Sequence, residues 1–340
     1  MTKKRLAFLA AAAALLLAAA AFGGGGLVAK TSAQSAAGAG GPTVIKMGIE
    51  QWIGYGPWWI VIAKGYDKKH GVQIKASTFT TDADINSAFA GHRIQAENLA
   101  THTGIRFLAS GVKLKFVLFE DVSLTADAIL AGPKIHSVKD LRGKKVAYEE
   151  GTTSDLLLRY ALAKNGMSIK DIKVVPIPAA DAGTAAIAGR VDAAVTYEPY
   201  LTAALKQGKG FHLIYTAGRK PGVISDLLGV DPKFAQAHPT AIVGALQAWG
   251  DAMKFYRSHT AAAQAIIAKN IGAKPADLRE SFHGVELYGL SQSLSFIQKQ
   301  WLPLAKQVTS ILKTQGGLKS KPNIRAATDA SFLRKALGQK

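Results

Sequence analysis

The sequence predicts an α/β protein that folds as two doubly wound lobes, and three observations lead to this fold class. Short apolar strands alternate with helices from residue 44 to residue 215, which is the spacing of parallel sheets that carry helices on both faces. After about residue 232 the pattern becomes almost wholly helical. The 340 residues also suffice for two domains, at roughly 100–200 residues each.

The first group of predicted elements lies between residues 44 and 119. The helix over 82–90 is amphipathic, because Ile85, Ala88 and Phe89 fall on one face at helical spacing. Gly71 separates the first helix from the second strand. We therefore predict strands over 44–49, 72–76, 96–100 and 115–119, and helices over 57–64 and 82–90.

The second group is followed by the helical tail. Asn165-Gly166 and Gly189 stand where asparagine or glycine commonly ends a helix. We predict a short helix start over 138–141, strands over 145–148, 173–177, 191–195 and 211–215, and helices over 154–164, 181–188 and 198–206. The tail is predicted to form helices over 238–258, 261–270, 275–282 and 291–314.

In open α/β sheets a ligand binds at the C-terminal ends of the strands, so the residues that follow each strand form the candidate site. After the first strand come Trp52, Gly54 and Tyr55, in a stretch that holds three of the chain's five tryptophans. Aromatic walls with a few polar groups are typical of small-molecule sites. The alternative is that the rings pack as core beneath the next helix, which is our interpretation of Trp59.

Two further strand ends in the first half of the chain carry polar side chains. Thr101 and His102 follow the third strand, where hydroxyls and free backbone N–H groups at a helix start either hold an oxygen-rich ligand or form an ordinary N-cap. Asp121, Ser123 and Asp127 follow the fourth strand. These acids either meet a ligand amine or form a solvated turn.

The second group of strands ends in two more candidate segments. Thr152, Thr153 and Ser154 stand at a helix start, where small hydroxylated residues present unpaired N–H groups to a carboxylate or a sulfonate. Simple capping is the alternative interpretation. Tyr197 and Glu198 follow a later strand, and Glu198 either faces the cleft or stabilises the dipole of the next helix.

Composition and motifs argue against an enzyme. The chain has no cysteine, which excludes disulfide bonds, thiolate metal sites, a cysteine nucleophile and an N-terminal lipidated cysteine. No G-x-S-x-G, H-E-x-x-H or P-loop spacing is present, and the eight histidines are scattered. We therefore predict a binding protein without catalytic residues, cofactor or metal site.

The formal net charge of +19 raises nucleic acid or another anionic surface as a partner. The basic residues are spread over helix ends such as Lys68-Lys69 and Lys144-Lys145, and they avoid the strand ends where the candidate site collects. We therefore attribute the charge to the surface and predict no nucleic-acid partner. A salt-sensitive complex with DNA or heparin at physiological ionic strength would revive that class of function.

The first 33 residues have the order of a secretory signal peptide. A basic stretch over 3–5 precedes an unbroken apolar run over 6–22, and small residues over 31–33 offer a cleavage site. The alternative is an uncleaved anchor, although this run lies at the short edge of a membrane span, which needs about 20 residues. We predict a cleaved signal peptide over 1–33, a flexible leader over 34–43 and a location in the periplasm.

Five segments of the chain carry a family resemblance, and they are WIGYGP (52–57), SVKDLRGKKVA (137–147), GTTS (151–154), GRVDAAVTYEP (189–199) and GLKSKP (317–322). Their order and spacing over residues 44–337 resemble the periplasmic solute-binding proteins of ABC importers. Within that family the chain is similar to the nitrate, sulfonate, taurine and bicarbonate group, which also includes thiamine-pyrimidine binders. One departure lies over 91–98, where the family usually has Gly-x-Val/Ile-Asp.

The resemblance implies a bilobed type II periplasmic-binding fold, in which two hinge strands join the lobes. The hinge strands would lie near 124–130 and 222–228, and Asp226 in the second would join the ligand-binding residues. Ligand would close the cleft by hinge motion, and the closed monomer would dock on an ABC permease in the inner membrane. Lobe I would hold residues 44–127 and 222–340, and lobe II would hold residues 128–221.

The candidate cleft combines aromatic rings, hydroxyls and acids, and no arginine or lysine falls at a predicted strand end. An ammonium group suits rings and acids, whereas a helix N-terminus suits an anionic group. We therefore predict a small organic zwitterion, a taurine-like aminoalkyl sulfonate, as the ligand. The alternatives are a pyrimidine or other heteroaromatic nutrient stacked on Trp52, and a binding protein that serves a sensor. The pyrimidine synthases of this fold depend on a cysteine-rich motif that the chain lacks.

Overall fold

The computed structural model describes residues 41–208, 210–314 and 318–339. The predicted signal peptide over 1–33 and most of the predicted leader lie outside these residues, as does Gly317. The strands are β1 (Thr43–Glu50), β2 (Val72–Phe79), β3 (Ala96–Ala100), β4 (Lys115–Ser123), β5 (Asp127–Ala131), β6 (Lys145–Tyr148), β7 (Lys173–Pro176), β8 (Ala193–Tyr197), β9 (His212–Thr216), β10 (Ser225–Val230) and β11 (Val285–Leu287).

Helices separate most of the strands and form most of the C-terminal part of the chain. None of the helices in the described ranges is long and apolar enough to cross a membrane. They are α1 (Gly56–Lys64), α2 (Tyr66–Lys69), α3 (Asp82–Ala90), α4 (Thr101–Ser110), α5 (Thr153–Lys164), α6 (Ala179–Ile187), α7 (Tyr200–Gln207), α8 (Pro232–Ala237), α9 (Pro239–Ser258), α10 (Thr260–Asn270), α11 (Leu290–Lys299), α12 (Trp301–Thr314), α13 (Ile324–Ala327) and α14 (Ser331–Ala336).

The strands form two mixed sheets, one in each of two lobes. In the first lobe the order is β11-β4-β10-β3-β1-β2, with β1 parallel to β2 and β3, and β10 antiparallel to β3 and β4. In the second lobe the order is β7-β6-β8-β5-β9, with β6 parallel to β7 and β8, and β5 antiparallel to β8 and β9. The predicted parallel pairing is present among β1, β2 and β3 and among β6, β7 and β8, whereas β4, β5, β9, β10 and β11 add antiparallel pairs. Because β5 and β10 each enter their sheet from the other lobe, they run against their neighbours.

The chain passes twice between the two sheets. Residues 124–126 join β4 to β5, and residues 217–224 join β9 to β10. The backbone N–H groups of residues 124–126 all donate to the carbonyl oxygen of Gly284, at 2.8–3.3 Å. This contact fixes the first crossing segment against the turn that precedes β11. The ends of β4, β5 and β10 consequently lie at the boundary between the lobes.

Three buried tryptophans hold helices against the sheet of the first lobe. The ring centroids of Trp58 in α1 and Trp249 in α9 lie 5.0 Å apart. Trp301 in α12 meets Phe116 of β4 edge to face, at 5.4 Å and 78°. Aromatic side chains bury large apolar areas, so these pairs are a main source of packing energy in the lobe. Trp59, which we expected in the core, is half-buried against it.

The tail departs from the all-helical prediction in two places. The helix predicted over 275–282 is replaced by two 3-10 turns, and β11 pairs with the edge of the first sheet. The helix predicted over 291–314 is divided into α11 and α12, which are separated at Gln300. Pro303 accounts for this break, because proline inside a helix removes a hydrogen bond and clashes with the preceding turn. The other predicted elements are present, with ends shifted by at most four residues.

Candidate functional site

A chamber lies between the two sheets, with about 50 Å³ of interior space for the centres of water-sized molecules. It is built where β1, β3, β6 and β8 end, which is the position expected for a ligand in open α/β sheets. The described residues that line it are Glu50, Trp52, Tyr55, Asp82, Ile85, Asn86, Glu97, Asn98, Leu99, Ala100, Thr103, Asp127, Glu149, Thr152, Thr153, Ser154, Ala179, Tyr197, Ile224 and Asp226.

An aromatic wall from both lobes forms one side of the chamber. Trp52 of the first lobe meets Tyr197 of the second edge to face, with ring centroids 6.0 Å apart. The indole Nε1–H of Trp52 donates to Asp121 Oδ2 at 3.3 Å, and the Tyr55 hydroxyl donates to Asp226 Oδ1 at 2.8 Å. The rings are therefore held by carboxyl groups, and they line the chamber. That they contact a ligand stays a prediction.

Gly54 makes the contact between Trp52 and Asp121 sterically possible. A Cβ atom at this position would lie 2.1 Å from Asp121 Oδ2 and 2.2 Å from Trp52 Nε1. Both distances are shorter than real Cβ contacts, and both neighbours are buried. The predicted binding residues Gly54 and Asp121 thus support the aromatic wall from behind and do not line the chamber.

The hydroxylated residues at the start of α5 line the chamber and also bond to one another. Thr152 Oγ1 donates to the carbonyl oxygen of Glu149 at 2.9 Å and lies 3.0 Å from Ser154 Oγ. Ser154 Oγ accepts a hydrogen bond from the backbone N–H of Glu149 at 3.1 Å. Thr153 is half-buried and lines the chamber. The two interpretations of this segment are compatible, because its hydroxyls fix the turn that faces the chamber.

Six carboxyl side chains line the chamber, and no lysine or arginine is among the described residues that do so. The sequence analysis identified two of them, Asp127 and Asp226. It missed four carboxyls and two amides, although Glu50 and Glu149 directly follow predicted strands and were within reach of the same rule. The missed polar residues are Glu50, Asp82, Asn86, Glu97, Asn98 and Glu149.

The carboxyl of Glu50 is hydrogen bonded to that of Asp82, which lies at the start of α3. Burial, followed by the charge of Asp82, holds the pKa of Glu50 well above its usual range. Burial, followed by the charge of Glu149, raises the pKa of Asp82 to about 7. Two carboxyl groups in hydrogen-bond contact share a proton unless a positive charge lies beside them.

A second group of carboxyls surrounds Asp226. Its side chain is hydrogen bonded to Asp121 as well as to Tyr55, and burial raises the pKa of Asp226 to about 6. Asp127 belongs to the same region. Burial raises the pKa of Asp127 to about 7, and the charge of Asp226 contributes more to this rise than any other charge. The chamber acids therefore cluster around Glu50 and Asp82 and around Asp226 and Asp127, and the two clusters influence each other, because Asp82 interacts with both Asp226 and Asp127.

Two buried side chains at the chamber have acceptor atoms without a hydrogen-bond partner among the described residues. Glu97 and Asn98 are each 1% exposed. The unpartnered atoms are Glu97 Oε2 and Asn98 Oδ1, whereas Asn98 Nδ2 donates to the carbonyl oxygen of Gly48 at 2.8 Å. Burial and the charge of Asp82 hold the pKa of Glu97 well above its usual range. Buried polar atoms without a partner are costly, so a molecule in this part of the chamber would gain by pairing with them.

Four other predicted binding residues are buried near the chamber without lining it. Thr101 Oγ1 lies 2.9 Å from Ser225 Oγ, and Ser123 Oγ accepts the backbone N–H of Asp127 at 3.0 Å. Glu198 accepts hydrogen bonds from the backbone N–H and the hydroxyl of the residue four positions later. Burial and the charge of Arg106 lower the pKa of His102 to about 3, so that its imidazole is neutral.

Polar contacts between the lobes lie beside the chamber. The hydroxyl of Tyr200 in α7 donates to Gln51 Oε1 at 2.8 Å, and Lys206 Nζ lies 2.6 Å from Asp277 Oδ1. Both pairs join a residue of the second lobe to a residue of the first. These two contacts hold the lobes together beside the chamber.

The chemistry of the lining is that of a binding site. Carboxyls, amides, hydroxyls and aromatic rings recognise a ligand through charge, hydrogen bonds and stacking. Among the described residues, no group of three or more His, Asp or Glu side chains is arranged to hold a metal ion.

Comparison with known proteins gives this chamber a family context. The model of the NMT1-like family matches residues 38–272. A protein of Escherichia coli (strain K12), named for aliphatic sulfonate binding, is 33% identical over 176 residues, which are 51% of this chain and 54% of that protein. The chain thus spans about half the length of the curated relatives it matches.

Solved structures support the fold. The periplasmic aliphatic sulphonate binding protein of Escherichia coli has a TM-score of 0.70 at 24% identity, covering 84% of this chain and 91% of that one. The desulfurization enzyme DSZB has a TM-score of 0.67 at 13% identity, covering 87% and 99%. These likenesses confirm the predicted bilobed periplasmic-binding fold. Because the fold is shared by binding proteins and by an enzyme, function has to be argued from the residues of the chamber.

Proposed function

The chain belongs to the NMT1-like family, and from this premise we propose that it is the extracytoplasmic solute-binding component of an ABC importer. It captures a small organic solute in the chamber between its lobes and delivers that solute to a permease. The observation that carries the proposal is the chamber itself, which is enclosed by both lobes and lined by buried polar groups, two of which have no partner among the described residues. Such a chamber suits a solute that is bound when the lobes close and released when they open.

The predicted location and partners fit this role. A monomer exported to the periplasm through a cleaved signal peptide meets solutes that have crossed the outer membrane and a permease in the inner membrane. Closure brings Tyr200 and Gln51 together across the lobes, so the permease can distinguish the loaded protein by its shape. The same closed form would serve a sensor, which is the alternative partner.

The two ligand classes predicted from the sequence share one feature that the chamber supports. A taurine-like aminoalkyl sulfonate and an amino-substituted pyrimidine both offer N–H donors, and the carboxyl groups accept them. The sulfonate end of taurine would rely on the start of α5, because the described lining includes no lysine or arginine. The pyrimidine would stack on Trp52 and Tyr197.

The test is mass spectrometry of the purified full chain under native conditions. We expect a bound solute at one per chain, which is released on denaturation and is absent from a Trp52→Ala variant. Exposed Lys113→Ala serves as the matched control and should retain the solute. Crosslinking in membranes then separates a permease from a sensor kinase as the partner. A chain that carries no solute and responds to no small molecule would contradict the proposal.

A further inference from the structure

Resting on the proposed function, we propose that the solute is a small organic cation with two positively charged nitrogen groups. The chamber would therefore select a diamine, or a similar molecule with two cationic ends, over a sulfonate. This inference names the charge of the ligand, which neither the fold nor the family determines. It is carried by the kinds of atoms that line the chamber and by their grouping.

The first step concerns the balance of charge. Six carboxyl side chains line the chamber, and the described lining contains no lysine or arginine. Arg106 stands behind it, in α4, close to Asp155. A sulfonate entering this space would meet six carboxyl groups and no cationic side chain in the described lining, and each carboxyl that ionised would repel it strongly in a region shielded from water. Two ammonium groups would instead replace the protons that the carboxyls otherwise share.

The second step concerns hydrogen-bond donors and acceptors. Glu97 Oε2 and Asn98 Oδ1 are buried acceptors without a partner among the described residues. A sulfonate offers only acceptors, so it would leave the Asn98 oxygen unpaired and could bond to Glu97 only while that carboxyl holds a proton. An ammonium group offers three donors and no acceptor. The two unpartnered oxygens therefore favour a ligand that carries donors.

The third step concerns the number of cationic groups. One acidic group contains the hydrogen-bonded pair Glu50 and Asp82, and Glu97 interacts with both members of this pair. The other contains Asp226 and Asp127. The two groups also influence each other, since Asp82 interacts with both Asp226 and Asp127. Their carboxyls come from different strand ends, with Glu50 at the end of β1, Asp127 at the start of β5 and Asp226 near the start of β10. One ammonium group would leave most of the six lining carboxyls uncompensated, whereas two positive ends can reach acids on both lobes. Aromatic rings such as Trp52 also favour a cation beside them.

The experiment compares four probes on the full chain after its bound solute has been removed by unfolding and refolding. The probes are 1,4-diaminobutane, butylamine, taurine and ethanesulfonate, and binding is measured by isothermal titration calorimetry. We expect the diamine to bind about 10- to 100-fold more tightly than butylamine, as one more charge-assisted pair would give. Ethanesulfonate and taurine should bind more weakly than the diamine. Tighter binding of taurine or ethanesulfonate, or a response to calcium ions alone, would overturn the inference.

A substitution of Glu97 tests the residue on which both the charge argument and the hydrogen-bond argument depend. Glu97→Gln keeps the shape and removes the charge, so affinity for the diamine should fall about 10- to 100-fold. Glu286→Gln removes an exposed acid of β11 and should leave the affinity unchanged. Circular dichroism confirms that both variants fold. Equal diamine affinity in wild type and Glu97→Gln would refute the assignment.

The native mass spectrum separates failure of this inference from failure of the proposed function. A co-purifying solute with two basic nitrogens supports both. A co-purifying anion or neutral molecule overturns the cation and leaves the binding function standing. No co-purifying solute together with no response to any of the four probes removes both.

Discussion

Replacing Asp127 by asparagine should flatten the pH dependence of stability of the ligand-free protein. Asp127 lines the chamber, and burial raises its pKa from 3.8 to about 7. The folded protein thus holds a proton on this carboxyl that the unfolded chain releases. The carboxyl contributes stability that is fully present below about pH 4 and is lost as the pH rises through about 7.

The magnitude follows from these two pKa values. A difference of one pKa unit corresponds to about 1.4 kcal/mol. Between pH 5 and pH 8, a carboxyl with an unfolded pKa of 3.8 and a folded pKa of about 7 lowers the free energy of unfolding by about 2–3 kcal/mol. Asparagine does not titrate, and it preserves the size of the side chain beside Ser123. The variant should therefore lose about 2–3 kcal/mol less than wild type over this interval.

The assay is urea unfolding of both proteins at pH 5 and pH 8, after removal of bound solute. Asp181→Asn, at an exposed position in the first turn of α6, is the control and should follow the wild type. Parallel stability changes in wild type and Asp127→Asn would refute the reasoning, because they would show that Asp127 is solvated in the ligand-free state. A wild type that gains stability from pH 5 to pH 8 relative to the variant would refute it as well.

Three further substitutions test the walls of the chamber. Gly54→Ala places a methyl group 2.1 Å from Asp121 Oδ2, so thermal unfolding should show a loss of about 1–3 kcal/mol, and calorimetry should show weaker ligand binding. Trp52→Phe keeps a ring but leaves Asp121 Oδ2 without its donor, so urea unfolding should show a loss of about 1–3 kcal/mol. Tyr200→Phe removes the hydrogen bond to Gln51 that joins the lobes, so ligand should bind about 2- to 10-fold more weakly, and small-angle scattering should show a larger open population. Unchanged affinity in this last variant would mean that the bond does not favour closure.

The sequence predicted the elements well because most of them carry local signals. The helix α3 has its apolar face and α5 its closing Asn165-Gly166, and both are present as predicted apart from a residue at an end. Antiparallel β5 and β10 could not be read in this way. Their direction depends on which lobe the chain arrives from, and no local pattern records that path.

Several chamber residues directly follow a predicted strand and were within reach of the strand-end rule, although Glu50 and Glu149 were overlooked. Other chamber residues come from elsewhere in the fold. Trp52 and Tyr197 were found by that rule, and both line the chamber.

Glu97 lies inside β3, where the strand-end rule does not look for site residues. The fold brings Asp82 close to it. Thr101 and His102 satisfied the rule but are buried beneath the lining, because α4 begins directly at Thr101. The end of a strand therefore predicts the approximate position of the chamber. The path of the following helix or loop decides which side chains line it.

The charge of the whole chain and the charge of the chamber have opposite signs, and distance decides which one a ligand experiences. The sequence carries a formal charge of +19, which would repel a cation in the absence of salt. Exposed charges are screened beyond about 8 Å at physiological ionic strength, whereas buried charges in contact are screened much less. A cation in the chamber would therefore interact strongly with the carboxyl groups of Glu50, Asp82 and Glu97, and only weakly with the basic residues of the surface. The same fold serves a sulfonate-binding protein at 24% identity. The proposed selection of a cation would therefore depend on the few side chains that line the chamber, because the fold itself is shared with a sulfonate-binding protein.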